Sequence, residues 1–473
     1  MTSSRTAAVA NAERTTARWI RAAVLLVVCL GLTTFYAMAA AEHGRRVNVS
    51  KARGDQSGYL WDAENVYANW HGRRPPTVIG ERNRMPIYAG YLALFYRPDI
   101  SDPEFFEIAK DANIGLSLIL LALLGLILMR ELPLLAAVNL IGVAAFGFFI
   151  FKAGYAQSEL LFYFFMFVTF LGCWHLLRSP RGPATVVLAG VTGALAGLAH
   201  LTKAAMVPFV VVFVSAFASP AIKSIWLPVE GRGEKPVRAL AWPTASLLVF
   251  TIAFLAVMSP YLTTSKRVFG HYFYNVNSTF YVWNDDWSQA SVGTYVHGDG
   301  VGWPTMPDSD LPGPVRYWRE HTISQIGARV VNGFKDMLIR SYSTYGLLKY
   351  LALYAAMFGV LLATHRTVLR QMARAHQRLV FFLALYGTVY LFAIAFYAPS
   401  SGTGTGRFFL AHVLPLLFVL SRVFTSARLR HAHWNLAGAE ARLAHFHLIV
   451  AVTLGLDVAF GVWPRLMTTY GGF

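Results

Sequence analysis

The sequence predicts an all-α membrane protein that crosses the bilayer many times. Of the 473 residues, 56% are hydrophobic and 14% are charged, whereas soluble domains carry about 25% charged residues. The apolar residues also form long runs, and a helix needs ~20 of them to cross a bilayer. The runs predict about 11 spanning helices, over 20–42, 113–129, 133–152, 159–177, 184–201, 204–221, 244–264, 346–364, 379–397, 408–422 and 446–466.

The first apolar run, 20–42, is expected to stay in the protein as a helix. It is longer than the apolar core of a signal peptide, which has about 7–15 residues. Cys29 and Cys173 both fall in apolar runs. They are predicted to pack among apolar neighbours, and they provide no framework for disulfides or a metal site.

The net charge of +17 is explained by topology. Basic residues recur in short connections such as "RSPRGP", "HRTVLRQMARAHQR" and "SARLRHAHW". Short loops rich in Lys and Arg face the cytoplasm, which places the amino terminus there. We expect attraction to anionic membrane lipids, no binding of nucleic acid, and a location in a bacterial plasma membrane.

The two longest connections fall on the other side of the predicted membrane. The first connection contains "PEFFEIAKDA", which predicts a short interfacial helix, and "RMPIYAGYLALFYR", which predicts a short re-entrant or interfacial helix. The second connection is rich in Tyr and Trp. The protein is therefore predicted to act at the outer surface of the membrane. The predicted organisation is a cytoplasmic segment 1–19, a transmembrane module 20–221 with outer loop 43–112, a cytoplasmic loop 222–243, and a carboxy-terminal region 244–473 with outer loop 265–345.

Five motifs resemble those of the GT-C superfamily of membrane glycosyltransferases, similar to its dolichyl-phosphate-mannose and aminoarabinose transferase-like families. The motifs are "GDQSGYLWDA" with Asp55 and Tyr59, "NRMPIYAGYLAL" with Arg84 and Tyr88, "YAQSELLFYF" with Glu159, "LAHLTKAAMVPF" with Lys203, and "GTGRFFLAHVLP" with Arg407. The resemblance implies transfer of a sugar from a polyprenyl-phosphate carrier, outside the cytoplasm. Gln56 stands where many members carry a second acidic residue. A divalent metal ion is a possible cofactor, and no other is expected.

Such a transfer needs a base that takes the proton of the acceptor hydroxyl. Asp55 is the first candidate and Asp62 the second; each is otherwise a solvated loop carboxylate. Glu159 lies at the start of an apolar run, where burial of a charge is costly and usually functional. It is predicted to be a second catalytic carboxylate, which orients the acceptor or shares a metal ion with Asp55.

The departing phosphate needs cations. Arg407 follows a Gly-rich stretch, where backbone can approach an anion closely, and its guanidinium matches phosphate oxygens. The resemblance places Lys203 and Arg84 near the same phosphate; otherwise they extend toward lipid headgroups. Tyr59 and Tyr88 belong to the matching motifs, and Asp285 and Asp286 are candidates for acceptor or metal binding, or for a loop turn.

The predicted function is therefore an inverting membrane glycosyltransferase that uses a polyprenyl-phosphate sugar and a lipid, glycan or protein acceptor. A lipid or solute transporter and a non-catalytic scaffold are the alternatives.

Two further patterns stand apart from the predicted site. Arg366, Arg370, Arg374 and Arg378 recur every four residues and predict one helical stripe that contacts anionic lipid. Asp457 is predicted to serve helix packing.

Overall fold

The protein is a bundle of helices, seen here in a computed structural model. The structure describes residues 29–73, 84–178, 182–226, 236–297, 310–345, 348–401, 405–429, 431–436 and 439–468, together with residues 27 and 307. Most of the buried apolar side chains form one continuous core that extends from Tyr36 to Leu466. Two smaller clusters lie around Tyr274 and Tyr317, in the second long connection.

The first half of the chain is helical over most of its described length. Its helices are α1 over 29–47, α2 Gln56–Trp70, α3 Pro86–Ala93, α4 Asp102–Glu131, α5 Leu134–Ala153, α6 Glu159–Arg178, α7 Pro183–Thr202 and α8 Val207–Trp226. Proline at the first turn starts several of them, where its missing N–H costs nothing. Ser101 caps α4 by accepting a hydrogen bond from the backbone N–H of Glu104.

The second half continues the bundle and adds one small sheet. Its helices are α9 Pro236–Phe269, α10 Val276–Thr279, α11 Trp287–His297, α12 Pro314–Glu320, α13 Ile323–Tyr345, α14 Leu348–Thr364, α15 Arg366–Ala375, α16 Gln377–Tyr397, α17 Thr405–Phe424 and α18 Leu443–Met467. Strands β1 His433–Leu436 and β2 Ala439–Arg442 pair antiparallel, with His433 opposite Arg442. Short 3-10 turns lie at Tyr281–Trp283, Pro399–Ser401 and Ala427–Leu429.

The helical architecture confirms the prediction of an all-α polytopic membrane protein, apart from the β1–β2 hairpin. Eight helices in the described part of the chain are long and apolar enough to span a membrane, namely α4, α5, α6, α7, α16, α17, α18 and the part of α9 from Ala241. The bent pair α14–α15 would make a ninth, and Val207–Ser219 of α8 is a shorter apolar helix. The predicted span 20–42 begins outside the described residues. The count of 11 stays a prediction.

Two helix boundaries differ from the sequence-based prediction. "PEFFEIAKDA" is not a separate interfacial helix, because it forms the first turns of the 30-residue helix α4. Phe105 and Phe106 are buried in the main core, so their apolar face packs against protein. The predicted four-arginine stripe is interrupted: α15 ends at Ala375, and Arg378 belongs to α16.

Close helix contacts occur where the sequence provides glycine. Helices α7 and α9 pack against each other, and a Cβ at Gly193 would overlap the backbone oxygen of Phe250. Helix α1 approaches the end of α5 at Gly154, where a Cβ would lie 2.8 Å from the Cα of Gly44. Small residues let helices in membranes approach closely. Here the glycines permit close contacts between α7 and α9 and between α1 and α5.

Candidate functional site

Four charged side chains from distant parts of the sequence meet at one end of the bundle. Asp55 precedes α2, Glu159 begins α6, Lys203 follows α7, and Arg407 lies in the first turn of α17. These four residues are called the charged centre below. Each comes from a different motif of the sequence analysis, so the fold brings together residues up to 352 positions apart.

Arg407 joins the two carboxylates of the charged centre. Its Nη1 lies 2.9 Å from Oδ2 of Asp55 and 3.3 Å from Oε1 of Glu159. Lys203 donates to the same Oε1 of Glu159 over 3.1 Å. Glu159 therefore pairs with both Lys203 and Arg407, whereas Asp55 pairs with Arg407.

The two carboxylates differ in exposure. The side chain of Glu159 is 2% exposed, and that of Asp55 is 31% exposed. Oε2 of Glu159 is buried without a hydrogen-bond partner among the described residues. A buried carboxylate between two cations orients them, whereas a part-exposed carboxylate can reach a substrate. The geometry therefore gives Asp55 the accessible position and Glu159 the supporting one.

The charged centre borders a cavity of about 1030 Å³. Asp55, Lys203 and Arg407 line it, whereas Glu159 lies behind its wall. Its other polar lining residues include Arg53, Tyr59, Arg84, Lys152, His200, Asn275, Asn277, Ser278, Arg340, Tyr390, Tyr397 and His412. Apolar lining comes from residues such as Phe162, Val207, Pro208, Phe273, Ile394 and Phe408. A cavity of this size with both charged and apolar lining residues suits an amphipathic ligand.

The two motif tyrosines lie one behind the other. Tyr59 lines the cavity, and its hydroxyl is 2.7 Å from Oγ of Ser158. Burial raises the pKa of Tyr59 above its usual value, so the phenol stays neutral. Tyr88 is fully buried, packs edge-on against Tyr59, and donates to Oδ1 of Asn113 over 2.9 Å. Tyr88 thus supports Tyr59 and does not line the cavity.

The second candidate base is paired. Nε of Arg84 lies 2.9 Å from Oδ2 of Asp62. Burial raises the pKa of Asp62, and the adjacent positive charge of Arg84 opposes that rise. Arg84 lines the cavity, whereas Asp62 holds it from behind. This contact makes Asp62 a positioning group for Arg84 in this geometry.

Asp285 and Asp286 lie apart from the charged centre, and neither lines the cavity. Asp285 contacts Nε2 of His321 at 3.1 Å and Nη1 of Arg329 at 3.6 Å. Oδ1 of Asp286 accepts the backbone N–H of Gln289 over 2.8 Å, at the start of α11. The Asp286 contact is of the kind found in a loop turn, whereas Asp285 pairs with His321 and Arg329. A role of either residue in acceptor or metal binding stays a prediction.

A divalent metal ion does not fit the residues of the charged centre. The carboxylates of Asp55 and Glu159 share Arg407, and no group of three His, Cys, Asp or Glu suited to a metal occurs in the part of the chain that the structure describes. Gln56 is buried and accepts the backbone N–H of Ala156 over 2.9 Å. Its amide nitrogen also donates to Oδ1 of Asn48. Gln56 therefore ties α2 to the segment before Glu159.

Lys152 is a site residue that the sequence analysis missed. It is 1% exposed, lines the cavity, and lies within electrostatic range of Glu159, Arg407 and Lys203. It follows the π-helical turn Ala145–Phe149 inside α5, a feature frequent at functional sites. A lysine within an apolar run was the available signal, because such residues are usually functional.

His200 and His412 were also missed, and both line the cavity. Nδ1 of His412 lies 2.5 Å from the hydroxyl of Tyr386. Nδ1 of His200 is buried and has no hydrogen-bond partner among the described residues. Both lie inside predicted spans, where polar residues are rare and face the interior of the bundle.

Comparison with models of protein families, with curated proteins and with solved structures finds no match. The resemblance to the GT-C superfamily rests on the motifs quoted above.

Proposed function

We propose that this protein is an integral membrane glycosyltransferase of the GT-C type. It transfers a sugar from a polyprenyl-phosphate carrier to an acceptor on the non-cytoplasmic face of a bacterial plasma membrane. One observation carries the proposal: Asp55, Lys203 and Arg407, from three motifs of the resemblance, border one cavity of about 1030 Å³. An accessible carboxylate beside two cations is the arrangement that the transfer requires.

The phosphate and the prenyl chain of the donor bind to different residues of the cavity. Its phosphate binds at Arg407 and Lys203, since guanidinium and ammonium groups bind phosphate oxygens strongly. Its prenyl chain lies along apolar side chains such as Val207, Pro208 and Ile394. Phosphate at Arg407 competes with Asp55 for the guanidinium, so donor binding frees the carboxylate that acts next.

In the transfer, the acceptor hydroxyl attacks the anomeric carbon from the face opposite the phosphate. The new bond joins the acceptor oxygen to the anomeric carbon, and the bond from that carbon to the phosphate oxygen breaks. Asp55 takes the hydroxyl proton, and polyprenyl phosphate leaves with both bonding electrons. Attack from the opposite face inverts the anomeric configuration. Glu159 acts as a positioning residue that holds Lys203 and Arg407.

A labelled-sugar assay tests this proposal against the transporter alternative. The purified protein is reconstituted in liposomes with a panel of polyprenyl-phosphate and polyprenyl-diphosphate sugars and hydroxyl-bearing lipid, glycan and peptide acceptors. The proposal predicts label in an acceptor and release of the polyprenyl phosphate. Label that crosses the bilayer on an intact carrier, with no transfer in the panel, would support the transporter and overturn the enzyme.

A further inference from the structure

A second set of cations lies at the opposite end of the bundle from the cavity. Helix α16 has its carboxy-terminal residues Ile394 and Tyr397 on the cavity wall. Its 21 residues cover about 30 Å at 1.5 Å per residue. Its first residue, Gln377, therefore lies about one bilayer thickness from the cavity end of the helix. Helix α15 ends two residues earlier and lies at that far end.

Helix α15 is turned across the bundle. It is bent by 102° from α14, at a break of one residue. Leu369 is buried, and Val368 and Met372 pack against the main core. Arg366, Arg370 and Arg374 are exposed. An amphipathic helix with an apolar face on the protein and arginines on the other face lies in the plane of a membrane surface.

Three more arginines reach the same end from other helices. Arg178 ends α6, Arg422 lies in the last turn of α17, and Arg428 follows it. Arg178 lies over the ring of Trp174, with its guanidinium carbon 5.5 Å from the ring centre. Nη1 of Arg422 donates to the backbone oxygen of Glu131. The second contact ties Arg422 to the end of α4, whereas Arg178 lies against a residue of its own helix.

His376 connects this group with α15. It directly follows α15, and burial together with the positive charges of Arg178 and Arg428 lowers its pKa. Glu131 is an acidic residue at this end; its carboxylate lies 2.9 Å from Nε2 of His175 and also interacts electrostatically with Arg422 and Arg178. The six arginines thus have an excess of positive charge around the end of the bundle. They are called the basic end below, namely Arg178, Arg366, Arg370, Arg374, Arg422 and Arg428.

We propose that the basic end binds the headgroups of anionic phospholipids. The α15 arginines contact headgroup phosphates in the plane of the membrane, and the interhelical arginines hold a phosphate between α6 and α17. Each basic residue near an anionic surface contributes about 1 kcal/mol, which is about fivefold in affinity. The site is independent of the proposed transfer, because it lies at the end away from the cavity.

The preference for anionic lipid is measured in nanodiscs that contain spin-labelled phosphatidylglycerol or phosphatidylcholine. The charge-removing variant is R366Q/R370Q/R374Q. The matched control is R267Q/R319Q/K335Q, which removes three exposed cations outside the basic end. We expect the first variant to lose at least tenfold of the preference for phosphatidylglycerol, and the control to keep it. Equal preference in the two variants would overturn the proposal.

A charge-conserving variant separates binding from folding. R366K/R370K/R374K is expected to keep most of the preference for phosphatidylglycerol, and the preference is expected to weaken as salt increases. If the lysine variant loses as much preference as the glutamine variant, the charge is not the cause and the proposal fails.

Discussion

At the residue scale, Glu159 and Asp55 illustrate two uses of one functional group. Glu159 accepts from Lys203 and Arg407 in a buried position, whereas Asp55 meets Arg407 at the cavity wall. A carboxylate at the start of an apolar run and another after the first helix can be read from the sequence. Which of them faces the cavity depends on how α2, α6 and α17 pack, and the sequence pattern does not carry that information.

Glu159→Gln is expected to destabilise the protein more than Asp55→Asn. Loss of one member of a buried ion pair leaves an uncompensated charge and costs about 3–5 kcal/mol, whereas part-exposed pairs contribute about 0–1 kcal/mol. The measurement is the thermal unfolding midpoint of each variant in the same detergent. Equal midpoints for the two variants would contradict the supporting role of Glu159.

Arg84→Gln tests the pair with Asp62. Without Arg84, burial raises the pKa of Asp62 further, because the opposing positive charge is gone. A carboxyl with a raised pKa binds its proton more tightly in the folded state, so stability increases as pH falls through that pKa. We expect Arg84→Gln to lose stability at pH 7 and to recover part of it as the pH is lowered.

The control for this pH dependence is the double variant R84Q/D62N, which has no ionisable group at the pair. Its deficit relative to the wild type should not shrink on acidification. If R84Q and the double variant respond to pH alike, Asp62 is not the titrating group.

At the scale of elements, the apolar runs predict the existence of most helices better than their ends. Eight predicted spans correspond to long apolar helices in the described residues. The start of α4 was misplaced because Phe105 and Phe106 bury against protein, and an amphipathic pattern looks the same whether its apolar face meets lipid or a neighbouring helix. The bend between α14 and α15 was also not predicted, because no proline marks it in the sequence.

Gly193→Val tests the packing of α7 on α9. A side chain there meets the backbone of Phe250, which cannot move aside as a flexible side chain can. We expect a loss of about 1–3 kcal/mol in stability, seen as a lower thermal midpoint. Gly387→Val is the control, because a Cβ at Gly387, also within a helix, meets no atom within 4 Å. Similar losses for both variants would rule out the close contact as the cause.

At the scale of the whole molecule, the two ends of the bundle differ in charge and in shape. One end carries the charged centre and the cavity, and the other carries the basic end. The sequence predicted Asp55, Tyr59, Arg84, Lys203 and Arg407 as site residues, and all five line the cavity. Lys152, His200 and His412 were not predicted. Their polar side chains in apolar runs are a signal of function, but only the packed bundle shows that they line this cavity.

Labelling of introduced cysteines tests the orientation. Cys29 and Cys173 are first replaced by serine or alanine. One cysteine is then placed at Arg319, in α12, or at Arg428, in the basic end. We expect a membrane-impermeant maleimide to label position 319 in intact cells and position 428 after permeabilisation, since basic loops face the cytoplasm. The reverse pattern would place the cavity on the cytoplasmic side and contradict the proposed function.

The most direct test of the central claim is sugar transfer by Asp55→Asn compared with Asp111→Asn at equal expression. Asp111 is an exposed carboxylate on α4 and is not among the residues that line the cavity. If Asp55 takes the acceptor proton, Asp55→Asn reduces the rate about 10²–10⁴-fold, and Asp111→Asn transfers like the wild type. Transfer by Asp55→Asn at the wild-type rate would show that Asp55 is not the base.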